Sequence, residues 1–336
     1  MAPARPMDNS WNSEMSRSQR NTTPLAAAGA ADAPVIVVDG FLPGPLAMAM
    51  RHAIDAHFAR PETHRAETHQ VWNYWFVPEL YTYLRTDPVR VFGHAYATAF
   101  HEALRQWSTA RLGMAEVTWP YLSLYVAGCR QGWHNDSRNG RFAFVYSLTR
   151  NERRTAGGET LVLHEDDPFR ANLTTATAGR GLHDVIEPRF NRLVVFDDRL
   201  PHAVERVEGS MDPVEGRFVL HGHVSEKSAI VVGTLSAAAV AAPLNEALSA
   251  FGAEFAAAIA LYHGPLSLRL TVGAAGRVEA CEVLVDRVIH PDPRHVDWPV
   301  VRGHLLARLR ALVFPASTGR SVLTQPVLFG NRPATG

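Results

Sequence analysis

The sequence predicts a mostly β core with flanking helices, followed by a small α+β carboxy-terminal domain. Two observations indicate this fold class. Between residues 121 and 224, short apolar runs alternate with turn residues at a spacing typical of β-sandwiches and β-barrels. After residue 226 the pattern changes to a mixture of helical and strand-like segments. The chain has 336 residues, 46% hydrophobic and 20% charged, which is long enough for two globular domains.

The segment before the barrel pattern predicts one strand and two helices. Residues 35–38 form a β-branched run, and Leu46, Met50 and Ile54 then share one face of a helical pattern. A second helix is predicted for residues 91–112. The aromatic-rich segment VWNYWFVPELYTYLR lies between the two helices and is typical of either a core layer or a pocket wall.

The predicted barrel strands are separated from one another by turn residues. They are the segments YLSLYVAG, RFAFVYSLT, GETLVLHE, RLVVFDD, AVERVEG and RFVLHGHV. Because they are short and follow two predicted helices, we expect an antiparallel β-barrel within a domain that spans residues 34–226.

The carboxy-terminal part predicts a separate domain at residues 244–330, after a linker at 227–243. An Ala-rich helix is expected to begin near Pro243, because proline suits the first helical turn. The segment LSLRLTVGAAGRVEACEVLVD predicts a hairpin that turns at residues 273–276. The segments WPVVRGHLLARLRAL and SVLTQPVLF add a helix and a final strand, which completes a β-β-α-β unit.

Composition limits the classes of partner. The 33 basic and 33 acidic residues cancel, so no long-range field recruits nucleic acid or an anionic membrane. Cys129 and Cys281 are far apart and form no disulfide or metal motif, which fits a cytoplasmic protein. Residues 1–33 lack the apolar core of a signal peptide and predict a disordered tail. Polar residues and Pro243 interrupt the Ala-rich run at 228–261, so we expect no membrane span.

The segment QGWHNDSRNG contains candidate metal ligands. His134 and Asp136 are two residues apart, so on an extended segment both side chains project to the same side. His202 follows a β-branched run in VVFDDRLPHAVERV and could supply a third ligand. Two histidines and one carboxylate on one face of an octahedral ion form the arrangement used for non-haem Fe(II) oxygen chemistry. The alternative is a polar turn, because sixteen histidines make chance pairs common.

Four segments, in order, resemble the 2-oxoglutarate and Fe(II)-dependent dioxygenase superfamily, in particular its prolyl-4-hydroxylase-like branch. They are LYVAGCRQGWHND, FVYSLTRNERRTAGGETLVL, IEPRFNRLVVFDDRLPHAVERVEG and GRFVLHGHV. The resemblance covers roughly residues 35–224 and implies a double-stranded β-helix (jelly-roll) core with iron held by His134, Asp136 and His202. It also implies Fe(II), 2-oxoglutarate as co-substrate and O2, and ascorbate could serve as reductant.

The resemblance further implies a basic residue that pairs with the far carboxylate of 2-oxoglutarate. Arg217 matches this position, and its guanidinium can donate two parallel hydrogen bonds to a carboxylate. Arg206 is the alternative. Tyr125 matches the position whose hydroxyl assists that carboxylate, with Tyr121 as its competitor, although either could be a core tyrosine.

Several neighbouring residues receive structural or supporting roles. The glycines at 157–158 predict a tight turn before a strand. We expect His221 to line the pocket and His223 to be structural. Asp197 and Asp198 could accept a hydrogen bond that orients His202, or could cap a turn.

The resemblance implies hydroxylation of an unactivated C–H bond of an amino acid, peptide or protein side chain, with release of succinate and CO2. An intact Asp136 favours hydroxylation over halogenation, because related halogenases lack this carboxylate. Desaturation or cyclisation stays open as the outcome of the reaction. Two alternatives to this function also stay open, a non-catalytic interaction scaffold and a cupin-like metalloenzyme that does not use 2-oxoglutarate.

Residues 244–329 resemble the carboxy-terminal domain of TonB-type energy-transducing proteins. The resemblance rests on the Gly-x-Val hairpin at 276–278, a helix that ends in VFP, and the strand VLTQPVLF. The membrane helix and proline-rich spacer of such proteins do not accompany it. We therefore expect a binding or dimerising module, with a homodimer through this domain.

Overall fold

The computed structural model describes residues 31–59, 72–137, 139–163, 183–226, 228–290, 292 and 297–330. The predicted disordered tail lies outside the described residues, except for its last three positions. Within the described part of the chain, none of the helices has the length and apolar character needed to cross a membrane.

The first unit, which we call the barrel unit, contains most of the strands. In chain order its elements are β1 (Val35–Asp39), α1 (Gly44–Phe58), β2 (Asn73–Val77), β3 (Tyr81–Thr86), α2 (Val89–Leu112), β4 (Glu116–Val117), β5 (Tyr121–Tyr125), β6 (Arg130–His134), β7 (Phe142–Ser147), β8 (Thr155–Ala156), β9 (Thr160–Leu163), β10 (His183–Ile186), β11 (Arg192–Asp197), β12 (His202–Val204), β13 (Glu208–Gly209) and β14 (Arg217–Ser225).

A large curled antiparallel sheet forms the core of this unit, as the sequence predicts for a jelly roll. Its strand order is β1-β11-β7-β14-β5-β3-β6-β12-β9-β10, with β2 added to β3 and β4 added to β14. Apolar side chains of α1 and α2 pack against the sheet, and the predicted face of α1 buries Met50 and Ile54 completely. The curl brings β6, β12 and β14 around one interior, which is where the candidate site lies.

The second unit, which we call the C-terminal unit, has a smaller sheet covered by helices. Its elements are β15 (Ile230–Gly233), α3 (Ala237–Glu254), α4 (Ala256–Ile259), β16 (Gly264–Val272), β17 (Val278–Asp286), α5 (Trp298–Arg310) and β18 (Ser321–Phe329). The strands pair antiparallel in the order β15-β18-β16-β17. The predicted hairpin is confirmed, since β16 pairs with β17 and the Gly276 amide donates to the Gly273 carbonyl at 2.9 Å.

The prediction of a linker at residues 227–243 is wrong over its described length. Strand β15 pairs with β18, so this stretch belongs to the smaller sheet. Helix α3 begins at Ala237, because the Ser236 hydroxyl accepts a hydrogen bond from the Ala239 amide and caps the first turn. Pro243 therefore lies inside α3 instead of at its start. The serine cap decides where the helix begins, and the proline costs one internal hydrogen bond.

Candidate metal centre

The three predicted metal ligands lie together at one end of a strand pair. His134 is the last residue of β6, His202 is the first residue of β12, and the two are register partners. Asp136 follows two residues after the end of β6. One nitrogen of each histidine and one carboxylate oxygen all lie within 4.8 Å of one another. Among the described residues, these three side chains form the group that could hold a metal ion.

Backbone carbonyl groups fix the orientation of both imidazoles. Nδ1 of His134 donates to the Gly132 carbonyl at 2.7 Å, and Nδ1 of His202 donates to the Leu200 carbonyl at 3.0 Å. A carbonyl oxygen can only accept, so the proton of each neutral ring is on Nδ1 and the lone pair is on Nε2. Both rings therefore present Nε2 as a ligand atom. The expected acceptors Asp197 and Asp198 do not hold His202, since a nearer backbone group does.

The third ligand is an ionised carboxylate. Oδ2 of Asp136 lies 3.4 Å from Nε2 of His202 and 3.9 Å from Nε2 of His223. Burial acts to raise the pKa of Asp136, but the interaction with the nearby imidazole rings, that of His202 foremost, lowers it to about 2. Burial also lowers the pKa of His134, which favours the neutral ring. A carboxylate and neutral imidazoles are the protonation states that bind metal ions, so these residues fit an Fe(II) ion.

Gln131 connects the site to Tyr125 and was not predicted. Its side-chain amide donates to Nε2 of His134 at 3.1 Å, and its Oε1 accepts from the Tyr125 hydroxyl at 3.2 Å. Gln131 and His134 are three residues apart on β6, a spacing at which side chains of a regular strand face opposite ways. Strand alternation alone could therefore not have indicated this contact.

Arg217 is a buried cation with unused hydrogen-bond donors. It begins β14, is 1% exposed, and donates from Nη2 to the Thr160 hydroxyl at 3.0 Å. Its Nε and Nη1 have no partner among the described residues. An unpaired buried charge is costly, so a cavity with this group is suited to an anionic ligand. The donor set of Arg217 and Thr160 therefore fits the far carboxylate of 2-oxoglutarate.

The alternative basic residue, Arg206, has a different environment. Its side chain is more than half exposed and pairs with Glu208 at 2.9 Å. The turn predicted at the glycines 157–158 lies against Arg217. Gly158 has a φ of +79°, and a Cβ at this position would lie 3.0 Å from Cδ of Arg217. Glycine thus gives the backbone conformation of the turn and the space that the arginine occupies.

Tyr125 lies in the wall of the same cavity. Its ring stacks on Tyr83, with centroids 5.0 Å apart, and the Arg217 guanidinium carbon lies 4.7 Å from its centroid. Burial raises the pKa of Tyr125, so its hydroxyl stays protonated and can donate, in this structure to Gln131. Tyr121 is 46% exposed and does not line the cavity.

Two histidines of β14 complete the interior wall. The side chains that line the cavity include Tyr125, Gln131, His134, Asp136, Thr160, His202, Arg217, Val219, His221 and His223. His221 lies where the sequence predicts, with Nε2 at 2.8 Å from the Ser123 hydroxyl, and burial lowers its pKa to about 3. His223, for which a structural role is expected, also lines the cavity, and its Nε2 lies 3.9 Å from Oδ2 of Asp136. Residues 221 and 223 are two positions apart on β14, so both side chains point to the same face of the strand, which is the inner face.

A family comparison agrees with this geometry. Residues 121–224 match the model of the 2OG-Fe(II) oxygenase superfamily. The matched segment includes all three candidate ligands and Arg217. The family that it matches is the one that the sequence motifs predict. Residues 121–224 therefore form a 2OG-Fe(II) oxygenase domain, the domain of 2-oxoglutarate-dependent dioxygenases. This class uses Fe(II), 2-oxoglutarate and O2.

Solved structures with some similarity include two prolyl hydroxylases. A prolyl-4-hydroxylase of Pseudomonas putida is 18% identical, with 58% of this chain and 93% of that chain covered and a TM-score of 0.40. A prolyl hydroxylase of Trichoplax adhaerens, in complex with a hypoxia inducible factor oxygen degradation domain peptide fragment, is 14% identical, with 64% and 92% covered and a TM-score of 0.41.

A third similar structure is SnoN, a non-heme alpha ketoglutarate dependent epimerase from nogalamycin biosynthesis. It is 11% identical, with 56% of this chain and 76% of that chain covered and a TM-score of 0.39. No curated protein matches the chain.

Proposed function

We propose that this dioxygenase hydroxylates an unactivated C–H bond of an amino acid, peptide or protein side chain and releases succinate and CO2. The observation that supports it most is that one cavity contains both a candidate metal-binding triad and a buried arginine with two nitrogens that lack a hydrogen-bond partner among the described residues. His134, Asp136 and His202 would hold Fe(II), and Arg217 with Thr160 would bind the far carboxylate of 2-oxoglutarate. When bound, iron and 2-oxoglutarate supply the activation of O2 and the oxidation of substrate.

The protein residues contribute the orientation of the metal ligands and of the co-substrate. The carbonyl groups of Gly132 and Leu200 hold the two imidazoles before any ligand arrives, so the site is preorganised. The buried Arg217 gives the co-substrate one orientation, because its Nε and Nη1, which have no partner among the described residues, can donate only to an anion or another acceptor at that end of the cavity. The presence of Asp136 as a third protein ligand supports hydroxylation over halogenation.

A row of side chains continues from the cavity to the surface and supports an amino-acid or peptide substrate. The Tyr121 ring lies 5.9 Å from the ring of His221, which lines the cavity. The guanidinium carbon of Arg85 lies 4.3 Å from the Tyr121 centroid and 3.6 Å from the Trp75 centroid. We call Trp75, Arg85 and Tyr121 the aromatic rim. Its rings offer stacking to an apolar side chain, and the edge of the guanidinium offers donors to a carbonyl or carboxylate.

We expect Arg85→Ala to raise the KM of an accepted substrate about 10-fold, because the variant loses one charge-assisted hydrogen bond. Substrate-stimulated succinate formation measures this change, and the Kd for 2-oxoglutarate should stay the same. Arg105→Ala is the matched control, since this exposed arginine pairs with Glu102 on α2 away from the cavity. Equal KM values for wild type and Arg85→Ala would remove the aromatic rim from the substrate site.

We expect Tyr125→Phe to weaken 2-oxoglutarate binding by roughly 2- to 10-fold, which is the effect of one neutral hydrogen bond. Calorimetric titration of the iron-loaded protein measures it. Tyr146→Phe is the control, because this buried tyrosine donates to Asn191 outside the site. An unchanged affinity in Tyr125→Phe would identify Tyr125 as a core residue.

The proposed reaction is tested by succinate formation from 2-oxoglutarate with Fe(II), ascorbate and a panel of amino acids and peptides. We expect turnover that requires both iron and 2-oxoglutarate and that one class of the panel stimulates. Absence of iron together with absence of 2-oxoglutarate binding would favour the interaction scaffold. Bound metal without any binding of 2-oxoglutarate would favour the cupin-like metalloenzyme. The cytoplasmic location, the homodimer and the TonB-like role of the C-terminal unit stay predictions.

A further inference from the structure

One turn holds two of the three candidate metal ligands. This turn, residues 198–201, connects β11 to β12 and is called here the ligand turn. The Asp136 amide donates to the Asp198 carbonyl at 2.9 Å, and Nδ1 of His202 donates to the Leu200 carbonyl at 3.0 Å. Asp136 and His202 belong to different parts of the chain, so their relative position depends on where this turn lies.

The carboxylate of Asp197 fixes the ligand turn at its start. The Arg199 amide and Nε donate to Oδ1 of Asp197 at 3.1 and 2.9 Å, and the Leu200 amide donates to the Asp197 carbonyl at 3.1 Å. Asp197 is 1% exposed. Burial acts to raise the pKa of Asp197, but Arg199 and Arg287 lower it, so the carboxylate is ionised.

The C-terminal unit supplies the second cation to this carboxylate. Arg287, which directly follows β17 and is 4% exposed, donates from Nε to Oδ2 of Asp197 at 3.1 Å. In return, Nη2 and Nη1 of Arg199 donate to the carbonyls of Arg287 and His263, at 2.7 and 3.2 Å. A buried, doubly paired carboxylate is strongly bound to its partners, because removal of one partner leaves charge uncompensated in a low dielectric.

We propose that the C-terminal unit is a structural part of the metal site, and that Arg287 is a positioning residue for Asp136 and His202. Arg287 acts through Asp197, which anchors the ligand turn, and the carbonyls of that turn hold both ligands. The inference rests on the proposed iron site. It assigns to the C-terminal unit a role within the catalytic centre, in addition to any partner that it binds.

The expected loss of metal affinity can be sized from how little displacement of their ligands metal sites tolerate. Ligands must be held within about 0.5 Å of their working positions, and loss of an outer partner of a metal ligand costs about 10- to 100-fold in metal affinity. Arg287 lies further from the candidate metal site than such a partner does. In a variant without Arg287, Arg199 would still bind Asp197. We therefore expect Arg287→Met to weaken metal binding about 10-fold.

The test is a titration of the metal-free, full-length protein with Co(II), without 2-oxoglutarate, followed by visible absorption. The absorption bands of Co(II) report the number and geometry of its ligands, which a loss of global stability in a folded variant would not change. Arg302→Met is the matched control. Arg302 pairs with Asp286, one residue before Arg287, and the described hydrogen bonds and ion pairs do not join its side chain to the ligand turn. We expect its Co(II) affinity and spectrum to equal those of wild type.

Two further variants make the result decisive. Arg287→Lys keeps the charge beside Asp197 and should recover most of the affinity, whereas a role in packing alone would not give this rescue. If Arg287→Met does not fold, Asp197→Asn keeps the shape of the side chain and removes its charge, and should weaken Co(II) binding several-fold. Wild-type affinity and spectrum in the folded Arg287→Met variant, or in Asp197→Asn in its place, would overturn the inference. Failure of the wild type to bind Co(II) would instead overturn the proposed iron site.

Discussion

His134→Ala should lower 2-oxoglutarate turnover by at least about 100-fold, because loss of an outer partner of a metal ligand alone costs about 10- to 100-fold. The side chain is one of three that converge within 4.8 Å, and no other described histidine belongs to that group except His202. Succinate formation at saturating iron and 2-oxoglutarate measures the loss, and circular dichroism establishes that the variant is folded.

The control for this variant is His101→Ala. His101 is a half-buried histidine on α2 whose Nε2 donates to the Val117 carbonyl at 2.9 Å, away from the cavity. Its replacement removes an imidazole and one hydrogen bond without a change at the metal centre. Full activity of a folded His134→Ala protein would exclude His134 from the ligand set.

Arg217→Met should weaken 2-oxoglutarate binding by at least about 100-fold and leave metal affinity unchanged. Two hydrogen bonds to a carboxylate contribute about 1.5–3 kcal/mol each, and each 1.4 kcal/mol corresponds to about tenfold in affinity. Calorimetric titration of the iron-loaded variant without oxygen measures the loss. Since two nitrogens of Arg217 are buried without a described partner, the ligand-free variant should be at least as stable to heat as wild type.

Arg206→Met is the matched control for Arg217→Met. It also removes a guanidinium shortly after His202, but from an exposed side chain that pairs with Glu208. We expect its affinity for 2-oxoglutarate to equal that of wild type. The reverse pattern, with loss of affinity in Arg206→Met and none in Arg217→Met, would show that the co-substrate binds elsewhere.

Much of the site could be predicted because its chemistry limits the choice of residues. The spacing of His134 and Asp136, the later His202 and the family resemblance together predicted a triad, and the strand pairing of β6 with β12 brings the two histidines together. Arg217 could be separated from Arg206 only in the structure. Both are arginines in the right order along the chain, and burial distinguishes them.

Other contacts depend on tertiary structure that no local pattern encodes. Gln131 reaches His134 through strand geometry that departs from simple alternation, and Thr160 meets Arg217 across 57 residues of sequence. Arg287 meets Asp197 across 90 residues and between two units. The start of α3 was misplaced for a different reason, since the Ser236 cap outweighs the preference of Pro243 for a first turn.

In the proposed enzyme, one cavity holds iron and 2-oxoglutarate together. This arrangement can be tested by anaerobic titration of 2-oxoglutarate into the Fe(II)-loaded protein with calorimetric detection. We expect binding at one site per chain that disappears when a chelator removes the iron and in Arg217→Met. Absence of binding to the iron-loaded wild type, or binding of equal strength after removal of iron, would show that the cavity does not hold the two together.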